Sequence, residues 1–300
     1  MSVKPGENSA VVRSFAKVNL TLDVLGTRPD GYHAIESVMQ TVELHDAISL
    51  TLSEDEGIRI SCDVPEIPTD ERNLAHRAAS LLLEAQGVSV GLDIRIEKRI
   101  PMEAGLGGGS SNSAAVLRGL SRLLGLSIPA DEMCELAARI GSDVPFFLIG
   151  GTAFVSGRGE HVRPLPDIPP MWMVIVKPPL GVSTPWSYRR LDEMRVSGDR
   201  STVTGERMTA SKRILECMDF RSMVSNDLEA PAIEQHPEIA EIKAALIASG
   251  ARSALMCGSG SAVFGLFEDE SRARAAASDR SDDLVFVTRT ITREEALRLE

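Results

Sequence analysis

Residues 101–115 read Pro-Met-Glu-Ala-Gly-Leu-Gly-Gly-Gly-Ser-Ser-Asn-Ser-Ala-Ala, and four of the five positions from 105 to 109 are glycine. Glycine lets a backbone approach a ligand closely, because no Cβ is in the way. Leu117, Leu120 and Leu124 then recur at helical spacing. A glycine loop that leads into a helix N-terminus binds anions, because unpaired N–H groups and the helix dipole point at one place. We therefore predict the phosphate-binding loop of a nucleotide enzyme; the alternative is a tight turn that packs a helix on a strand.

Two common nucleotide motifs do not fit this stretch. A P-loop places Lys directly after its last glycine, but here Ser110 follows. A Rossmann fingerprint opens a βαβ unit with spaced glycines, whereas these glycines are contiguous and the next predicted element is another helix.

The bulk composition limits the possible partners. The chain has 300 residues, 43% of them hydrophobic, and a net charge of −11. This charge argues against nucleic acid and against a membrane surface as partners, but it does not exclude a small phosphorylated ligand. The four cysteines form no CxxC pair, no apolar signal region begins the chain, and no run approaches the roughly 18 apolar residues of a membrane span. We expect a cytoplasmic protein with reduced thiols, as a monomer or homodimer.

The first half alternates between apolar and polar residues in several places. From Val12 to Val24 the period of two predicts a half-buried strand, with Lys17 and Asn19 on its non-core face. The other predicted elements are strands at Val42–Leu52, Ile58–Cys62 and Val90–Ile96 and a helix at Asn73–Gln86 that ends at Gly87. Several strands before a single strand–loop–helix unit indicate an α+β domain with helices on one face.

The second half begins after a proline-rich stretch, residues 164–170, which we take as the domain junction, giving domains 1–163 and 164–300. Before it, a helix over Asp131–Ile140, a turn over Gly141–Phe147 and a strand over Thr152–Val155 are predicted. After it, the pattern predicts a loop over Arg195–Arg213, a helix over Pro237–Ala248 and strands over Trp172–Val176, Ser253–Met256, Ala262–Phe267 and Leu284–Thr288.

Residues 101–115 resemble the central motif of the GHMP kinases, a superfamily of galactokinase, homoserine, mevalonate and phosphomevalonate kinases. Ala16–Leu20 is similar to its first motif, and Met256–Phe264, a second glycine loop, is similar to its third. The resemblance spans nearly the whole chain. It implies the two-domain GHMP kinase fold, with an N-terminal domain of mixed and antiparallel sheet and a C-terminal ferredoxin-like α/β sandwich.

A narrower set of features resembles the branch of this family that phosphorylates a cytidine-diphosphate-linked methylerythritol. They are Lys17–Leu22, Arg28–His33, Asn73–Leu74, Gly141–Phe147 and Ser183–Pro185 leading to Tyr188. This resemblance implies transfer of the ATP γ-phosphoryl group to the 2-hydroxyl of that substrate, in the non-mevalonate isoprenoid pathway. The alternatives are another small-molecule GHMP kinase (homoserine, mevalonate or sugar type), a binding domain without activity, and an RNA-binding module, which the charge disfavours.

The resemblance also implies catalytic roles for Asp143 and Lys17. Asp143 would take the proton of the attacking hydroxyl. Lys17 would orient Asp143 and this hydroxyl and would keep the carboxylate ionised. From the residues alone, Asp143 could instead cap the following turn, and Lys17 could be a solvated lysine on a strand.

The predicted ATP-binding residues are residues 101–111, which contain the glycines, and two residues outside this stretch. Backbone N–H groups from Leu106 to Ser111 would hold the phosphates, and a serine hydroxyl could reach Mg²⁺; each serine could equally be an N-cap. Asn73 and Lys98 would edge the adenine or its ribose, unless they are a helix cap and a surface lysine. The set is Asn73, Lys98, Pro101, Met102, Glu103, Ala104, Gly105, Leu106, Gly107, Gly108, Gly109, Ser110 and Ser111.

The predicted acceptor-binding residues are Asn19, Tyr32, His33 and Tyr188. Tyr32 and Tyr188 would sandwich the pyrimidine while His33 reads its edge, although Tyr32 could instead fill the core. The second glycine loop, Gly258–Ser261, would pack near the first, or it is a plain turn.

Three features depart from the family pattern: Cys257 in place of Thr or Ser, Glu103 before the glycines, and a long Arg195–Arg213 segment. The Glu103 carboxylate would have to point away from the phosphates. No metal-ligand cluster is visible in the sequence, so Mg²⁺ is expected to arrive with ATP.

Overall fold

Two β-sheets and the helices that cover them make up the part of the chain that the structure describes. The structure is a computed structural model, and it describes residues 8–196, 209–217, 219–220, 224–278 and 283–298. Its elements are β1 (Ser9–Thr27), β2 (His33–Ser53), β3 (Ile58–Cys62), α1 (Leu74–Gln86), β4 (Gly91–Glu97), α2 (Gly108–Leu123), α3 (Ala130–Ile140), α4 (Val144–Ile149), β5 (Thr152–Gly157), β6 (His161–Pro164), β7 (Trp172–Lys177), α5 (Thr184–Val196), α6 (Ala210–Cys217), β8 (Ser225–Asn226), α7 (Glu229–Gln235), α8 (Glu238–Ala248), β9 (Ser253–Met256), β10 (Val263–Phe267), α9 (Glu270–Ser278), β11 (Leu284–Arg289) and α10 (Arg293–Leu297).

The first sheet is mixed and carries helices α1 to α4 on one face. Its main strand order is β3-β4-β2-β1-β8, and β5 joins β2 and β6. The 21-residue β2 pairs along β1 on one side, while its other side pairs with β5 near its start and with β4 near its end. Leu50, Leu82, Leu117, Leu136 and Phe146 meet in the core beneath the helices. This arrangement confirms the predicted α+β domain with helices on one face.

The second sheet is antiparallel and has the ferredoxin-like strand order. Its order is β11-β7-β10-β9, so its four strands, counted along the chain, lie as 4-1-3-2. Helices α5, α7, α8 and α9 cover one face of it, through Leu191, Ala232, Ile239 and Ala273. The predicted ferredoxin-like sandwich in the second half of the chain is therefore confirmed.

Strand β1 is buried on both faces, so the prediction of a half-buried strand was wrong. Val12 packs under the helices, but a register shift follows Phe15, and Ala16, Val18 and Leu20 then pack against the second sheet. The side that carries Lys17 faces the interior as well. The alternation of apolar and polar residues predicts one buried face for β1. A single sequence does not show that a second layer covers the other face.

The two halves of the chain share structure rather than meeting at one junction. Short strand β8 pairs in parallel with β1 of the first sheet. The Leu44 amide donates to Thr288 Oγ1 at 3.0 Å, and Val42 forms a β-bridge with Thr290. The boundary between residues 163 and 164 falls at the end of β6 and stays a prediction.

Several shorter elements differ from the sequence prediction. The proposed turn after Gly141 contains helix α4, and β2 begins at His33 rather than at Val42. The proposed Arg195–Arg213 loop has helical ends, since α5 reaches Val196 and α6 begins at Ala210; residues 197–208 lie outside the described residues. The sequence does not reveal helix α5, because its apolar residues do not line up along one face of the helix.

We predict that the layer between the sheets carries much of the stability. Leu20→Ala should lower the free energy of unfolding by about 2–5 kcal/mol, because Leu20 is fully buried there. Leu25→Ala, on the same strand but 46% exposed, should change it by no more than about 0.5 kcal/mol. Urea unfolding of both variants measures this, and equal losses would contradict the assignment of the buried face.

Candidate active site

A cavity of about 960 Å³ lies where β1, both glycine loops, the start of α4 and the start of α5 converge. Its walls come from both halves of the chain: Lys17 and Asp143 from the first, Tyr188 and Gly258 from the second. The cavity therefore collects both predicted catalytic residues, all four predicted acceptor-binding residues and part of each glycine loop, although these lie up to 243 positions apart in the sequence.

Lys17 and Asp143 lie close together in this cavity. Lys17 Nζ is 3.6 Å from Asp143 Oδ2, with the Lys17 side chain 5% exposed and the Asp143 side chain 29% exposed. Lys17 Nζ also donates to Asn19 Oδ1 at 2.7 Å, and Asn19 Nδ2 donates to Ser37 Oγ at 2.8 Å. Lys17 is thus no solvated strand residue, and its ammonium is fixed from two sides.

Asp143 precedes α4 but does not cap it through its side chain. Its carboxylate accepts no hydrogen bond from the N–H groups of that helix, and Pro145 occupies a first-turn position that offers no N–H. The capping alternative is therefore not what the structure shows. The carboxylate is left to face Lys17 and the cavity.

The two glycine loops pack directly against each other, as predicted. A Cβ at Gly105 would lie 1.8 Å from the carbonyl oxygen of Cys257, and a Cβ at Gly258 would lie 2.9 Å from that of Gly105. The amide of Ala262 donates to the carbonyl of Ala104 at 3.3 Å. Only glycine permits backbones this close, so the contact explains glycine at both loops.

The first glycine loop leads into α2 without a side-chain hydrogen bond that caps the helix. Gly107 is the N-cap in a left-handed conformation, and no side chain caps the first N–H groups. The Lys17 amide donates to the Leu106 carbonyl at 3.0 Å, which fixes the loop beside β1. These features give the unpaired N–H groups and the helix dipole that an anion needs.

The two serines of this helix start have different surroundings. Ser110 Oγ faces the turn before α4, 3.8 Å from the position a Cβ would take on Gly141. Ser111 is buried and accepts a hydrogen bond from Ser14 Oγ at 2.8 Å. Only Ser110 therefore has its hydroxyl on the side of Asp143.

Glu103 turns its carboxylate toward Gly181. A Cβ on Gly181 would lie 2.3 Å from Glu103 Oε2, although Glu103 still lines the cavity. The backbone of Glu103 has a φ of 49°, which is uncommon outside glycine. The negative charge of Glu103 partly counters the lowering of the Lys177 pKa by burial.

Lys98 is held by a buried carboxylate that the sequence did not reveal. Asp46, fully buried on β2, accepts from Lys98 Nζ at 2.5 Å, from the amides of Arg99 and Ile100, and from Asn112 Nδ2 at 2.8 Å. Lys98 is thus no surface lysine. Asp46 joins the segment before the glycines to helix α2.

A second cavity, of about 710 Å³, lies beside residues 98–102, just before the first glycine loop. Lys98, Pro101 and Met102 line it together with apolar residues such as Ile67 and Ile100. Segment 98–107 therefore borders both cavities, one at each end.

Asn73 serves as a helix cap. Its Oδ1 accepts from the Ala75 amide at 2.9 Å, and its Nδ2 donates to the Pro68 carbonyl at 2.7 Å. The capping alternative is thus confirmed, and Asn73 is not among the residues that line either cavity. The role of Asn73 in nucleotide binding stays a prediction. Its only support is the contact between α1 and the start of α2, where a Cβ on Gly109 would meet Leu74.

The aromatic residues predicted for the acceptor gather at one end of the larger cavity. The rings of His33 and Tyr188 lie 4.7 Å apart, tilted by 30°. Tyr32 is 53% exposed, so it does not fill the core, and the Arg158 guanidinium lies 5.0 Å from its ring centroid. The sequence did not point to Arg158, or to Asp192, whose Oδ2 is 2.8 Å from His33 Nε2.

Two pKa shifts set charges around the cavity. Burial, and secondarily the charges of Asp143 and Asp227, raise the pKa of Tyr188, so its phenol stays protonated at neutral pH. Burial raises the pKa of Cys257 to about 12, although the positive charge of Lys17 acts against it. Cys257 is therefore a thiol packed under the second glycine loop rather than a thiolate.

The described part of the chain contains neither a metal-binding cluster nor a membrane-spanning helix. No group of three or more His, Cys, Asp or Glu side chains in these ranges could hold a metal ion. Within the same ranges no helix combines the length and apolarity that a membrane crossing requires.

The chain matches known proteins along most of its length. Residues 73–151 match the family model "GHMP kinases N terminal domain", and residues 212–283 match "GHMP kinases C terminal". The 4-diphosphocytidyl-2-C-methyl-D-erythritol kinase of Geobacter metallireducens is 43% identical, covering 94% of this chain and 99% of that protein. The enzyme of the same name from Geobacillus kaustophilus is 47% identical, covering 87% and 89%.

Solved structures show the same relation. A crystal structure of 4-(cytidine 5'-diphospho)-2C-methyl-D-erythritol kinase superposes with a TM-score of 0.78 at 37% identity, covering 93% of this chain and 98% of that one. A homoserine kinase from Cytophaga hutchinsonii superposes with a TM-score of 0.73 at 19% identity, over 97% of both chains; this likeness shows the fold alone.

We predict that Asp46 contributes strongly to the stability of the fold. Asp46→Ala should lower the free energy of unfolding by about 3–5 kcal/mol, because it leaves the buried Lys98 ammonium unpaired. The matched control is Asp93→Ala, which breaks a surface ion pair with Arg59 and should cost less than about 1 kcal/mol. Denaturant titration compares the two, and a similar small loss for both would refute the role of Asp46.

Proposed function

This chain belongs to the GHMP kinase family, and from that premise we propose that it is an ATP-dependent kinase acting on 4-(cytidine 5'-diphospho)-2-C-methyl-D-erythritol. The reaction transfers the γ-phosphoryl group to the 2-hydroxyl, a step of the non-mevalonate isoprenoid pathway. The observation that carries the proposal is one cavity that joins the Lys17–Asp143 pair to an aromatic cluster suited to a pyrimidine. Relatives of that name, 42–47% identical over most of this chain, support it.

Asp143 and Lys17 are proposed to activate the acceptor. A tertiary hydroxyl is a poor nucleophile, and Asp143 takes its proton as the oxygen attacks the γ-phosphorus. The Lys17 ammonium, 3.6 Å away, stabilises the charge that develops on the attacking oxygen. Asn19 holds Lys17 in that position through its Oδ1.

The nucleotide is proposed to lie along segment 98–111. The flat, mostly apolar adenine suits the smaller cavity beside Ile67, Ile100 and Met102, with Lys98 at its edge. The phosphates then follow the glycines to the N-terminus of α2, which points them toward the larger cavity. Mg²⁺ enters with ATP, held mainly by phosphate oxygens and water, and Ser110 is the serine whose hydroxyl faces that side.

The acceptor is proposed to place its cytosine among Tyr32, His33 and Tyr188 and its diphosphate toward the cationic residues of the cavity. Stacking on an aromatic face is worth roughly 1–3 kcal/mol per base, and Tyr32, His33 and Tyr188 all line the cavity. Arg158 also lines it and has its guanidinium over Tyr32. A homoserine, mevalonate or sugar kinase would have no use for this aromatic cluster, so we favour the cytidyl acceptor.

The oligomeric state and the cytoplasmic location remain predictions from the sequence. Gel filtration with light scattering distinguishes a monomer from a homodimer.

An acceptor panel tests the proposed function. We expect purified protein with Mg²⁺ and ATP to release ADP strongly with the cytidyl diphosphate methylerythritol, and only at background rate with homoserine, mevalonate or galactose. Coupled detection of ADP measures this, and mass spectrometry of the product locates the phosphate. A preference for any other acceptor would overturn the proposal.

Asp143→Asn should lower kcat by about 10²–10⁴-fold, because the amide cannot take the proton of the hydroxyl. ATP affinity, measured by calorimetry, should stay near that of the wild type, since the phosphates contact the glycine loop. Asp131→Asn, in the exposed first turn of α3, is the matched control and should leave kcat unchanged. Near wild-type kcat in Asp143→Asn would exclude it as the base.

A further inference from the structure

We infer that Asp192 fixes a proton on Nε2 of the His33 ring and thereby makes the site select cytosine over uracil. This inference rests on the proposed function, because it concerns the base of the proposed acceptor. Asp192 is a positioning residue in this account, since it acts through the His33 ring.

The geometry places one ring nitrogen of His33 against a carboxylate. His33 begins β2, and its side chain is 12% exposed; Asp192 lies on α5, and its side chain is 39% exposed. The distance from His33 Nε2 to Asp192 Oδ2 is 2.8 Å. The ring also lies against that of Tyr188, one turn earlier on the same helix. The imidazole is therefore held in one orientation by two contacts with α5.

The carboxylate determines which ring nitrogen carries the proton. An ionised Asp192 can only accept a hydrogen bond, so the His33 nitrogen that faces it has to donate. In a neutral imidazole the proton is then on Nε2, and Nδ1 has a lone pair that accepts. The His33 ring lines the cavity, and in this proposal Nδ1 is the atom that meets the base of a ligand bound there.

An accepting nitrogen at this place distinguishes the two pyrimidines. Cytosine carries an amino group at C4, which donates, where uracil carries a carbonyl oxygen, which accepts. His33 Nδ1 can take a hydrogen bond from the amino group of cytosine. Against uracil, two lone pairs would face each other, and a buried polar group left without a partner is costly. The same ring with its proton on Nδ1 would reverse this preference.

The test compares acceptors that differ only in the base, cytidine diphosphate methylerythritol and its uridine analogue. The ratio of their kcat/KM values is measured for the wild type, Asp192→Ala, His33→Ala and the double variant. We expect Asp192→Ala to lower the ratio by about tenfold or more, the size of one lost hydrogen-bond discrimination. The KM for ATP should stay unchanged, and in the His33→Ala background Asp192→Ala should have no further effect on the ratio.

The matched control is Glu193→Ala. It removes a carboxylate from the next position of α5, where Glu193 pairs with Arg190 at the surface, 65% exposed. This variant should keep the wild-type ratio. A fall in the ratio equal to that of Asp192→Ala would mean that loss of charge on α5, and not the contact with His33, produces the effect.

Nitrogen-15 NMR of the His33 ring reads the proton position directly and needs only the wild-type protein. The ring should carry its proton on Nε2 under the assay conditions. A proton on Nδ1, or on both nitrogens, would overturn the inference, as would an equal effect of Asp192→Ala with and without His33.

The outcomes separate this inference from the proposed function. If the wild type phosphorylates neither base analogue, the proposed function fails. If the wild type prefers the cytidyl acceptor and Asp192→Ala keeps that preference, the function stands and the role of Asp192 is wrong.

Discussion

The structure depends on accommodating the charge of Lys17 between two sheets. An unpaired buried ammonium costs several kcal/mol, and Lys17 is 5% exposed. Asp143 supplies the opposite charge, and Asn19 supplies a neutral acceptor whose own amide is held by Ser37. The same arrangement that makes the buried charge tolerable also brings the Asp143 carboxylate to the cavity. Stability and chemistry therefore use one set of contacts.

The glycines matter because the site is crowded around this lysine. A Cβ on Gly107 would lie 2.7 Å from the Phe147 ring and 3.2 Å from Lys17 Cγ, and one on Gly258 would lie 3.3 Å from Lys17 Nζ. The first loop thus contacts the stem of the Lys17 side chain, and the second lies beside its ammonium. Their backbones, rather than long side chains, form the wall where phosphates are proposed to bind, so a nucleotide can come close to the acceptor.

The sequence predicted features whose cause is local. The cap at Gly87 and the strands of the second sheet follow from residue type and period, and the three family motifs identified the chain's fold. It did not reveal contacts between distant positions: Asp192 meets His33 across 159 residues, and Asp46 meets Lys98 across 52. The alternating pattern of β1 predicted one buried face instead of two, because the layer that covers the second face comes from the second half of the chain.

A ternary complex tests the central claim most directly. Crystals of the protein with a non-hydrolysable ATP analogue and the acceptor would give the distance from the acceptor's 2-hydroxyl oxygen to the Asp143 carboxylate. The account predicts hydrogen-bond contact, about 2.6–3.2 Å, with the γ-phosphorus in line beyond that oxygen. A triphosphate bound away from the N-terminus of α2, or a hydroxyl out of reach of Asp143, would contradict it.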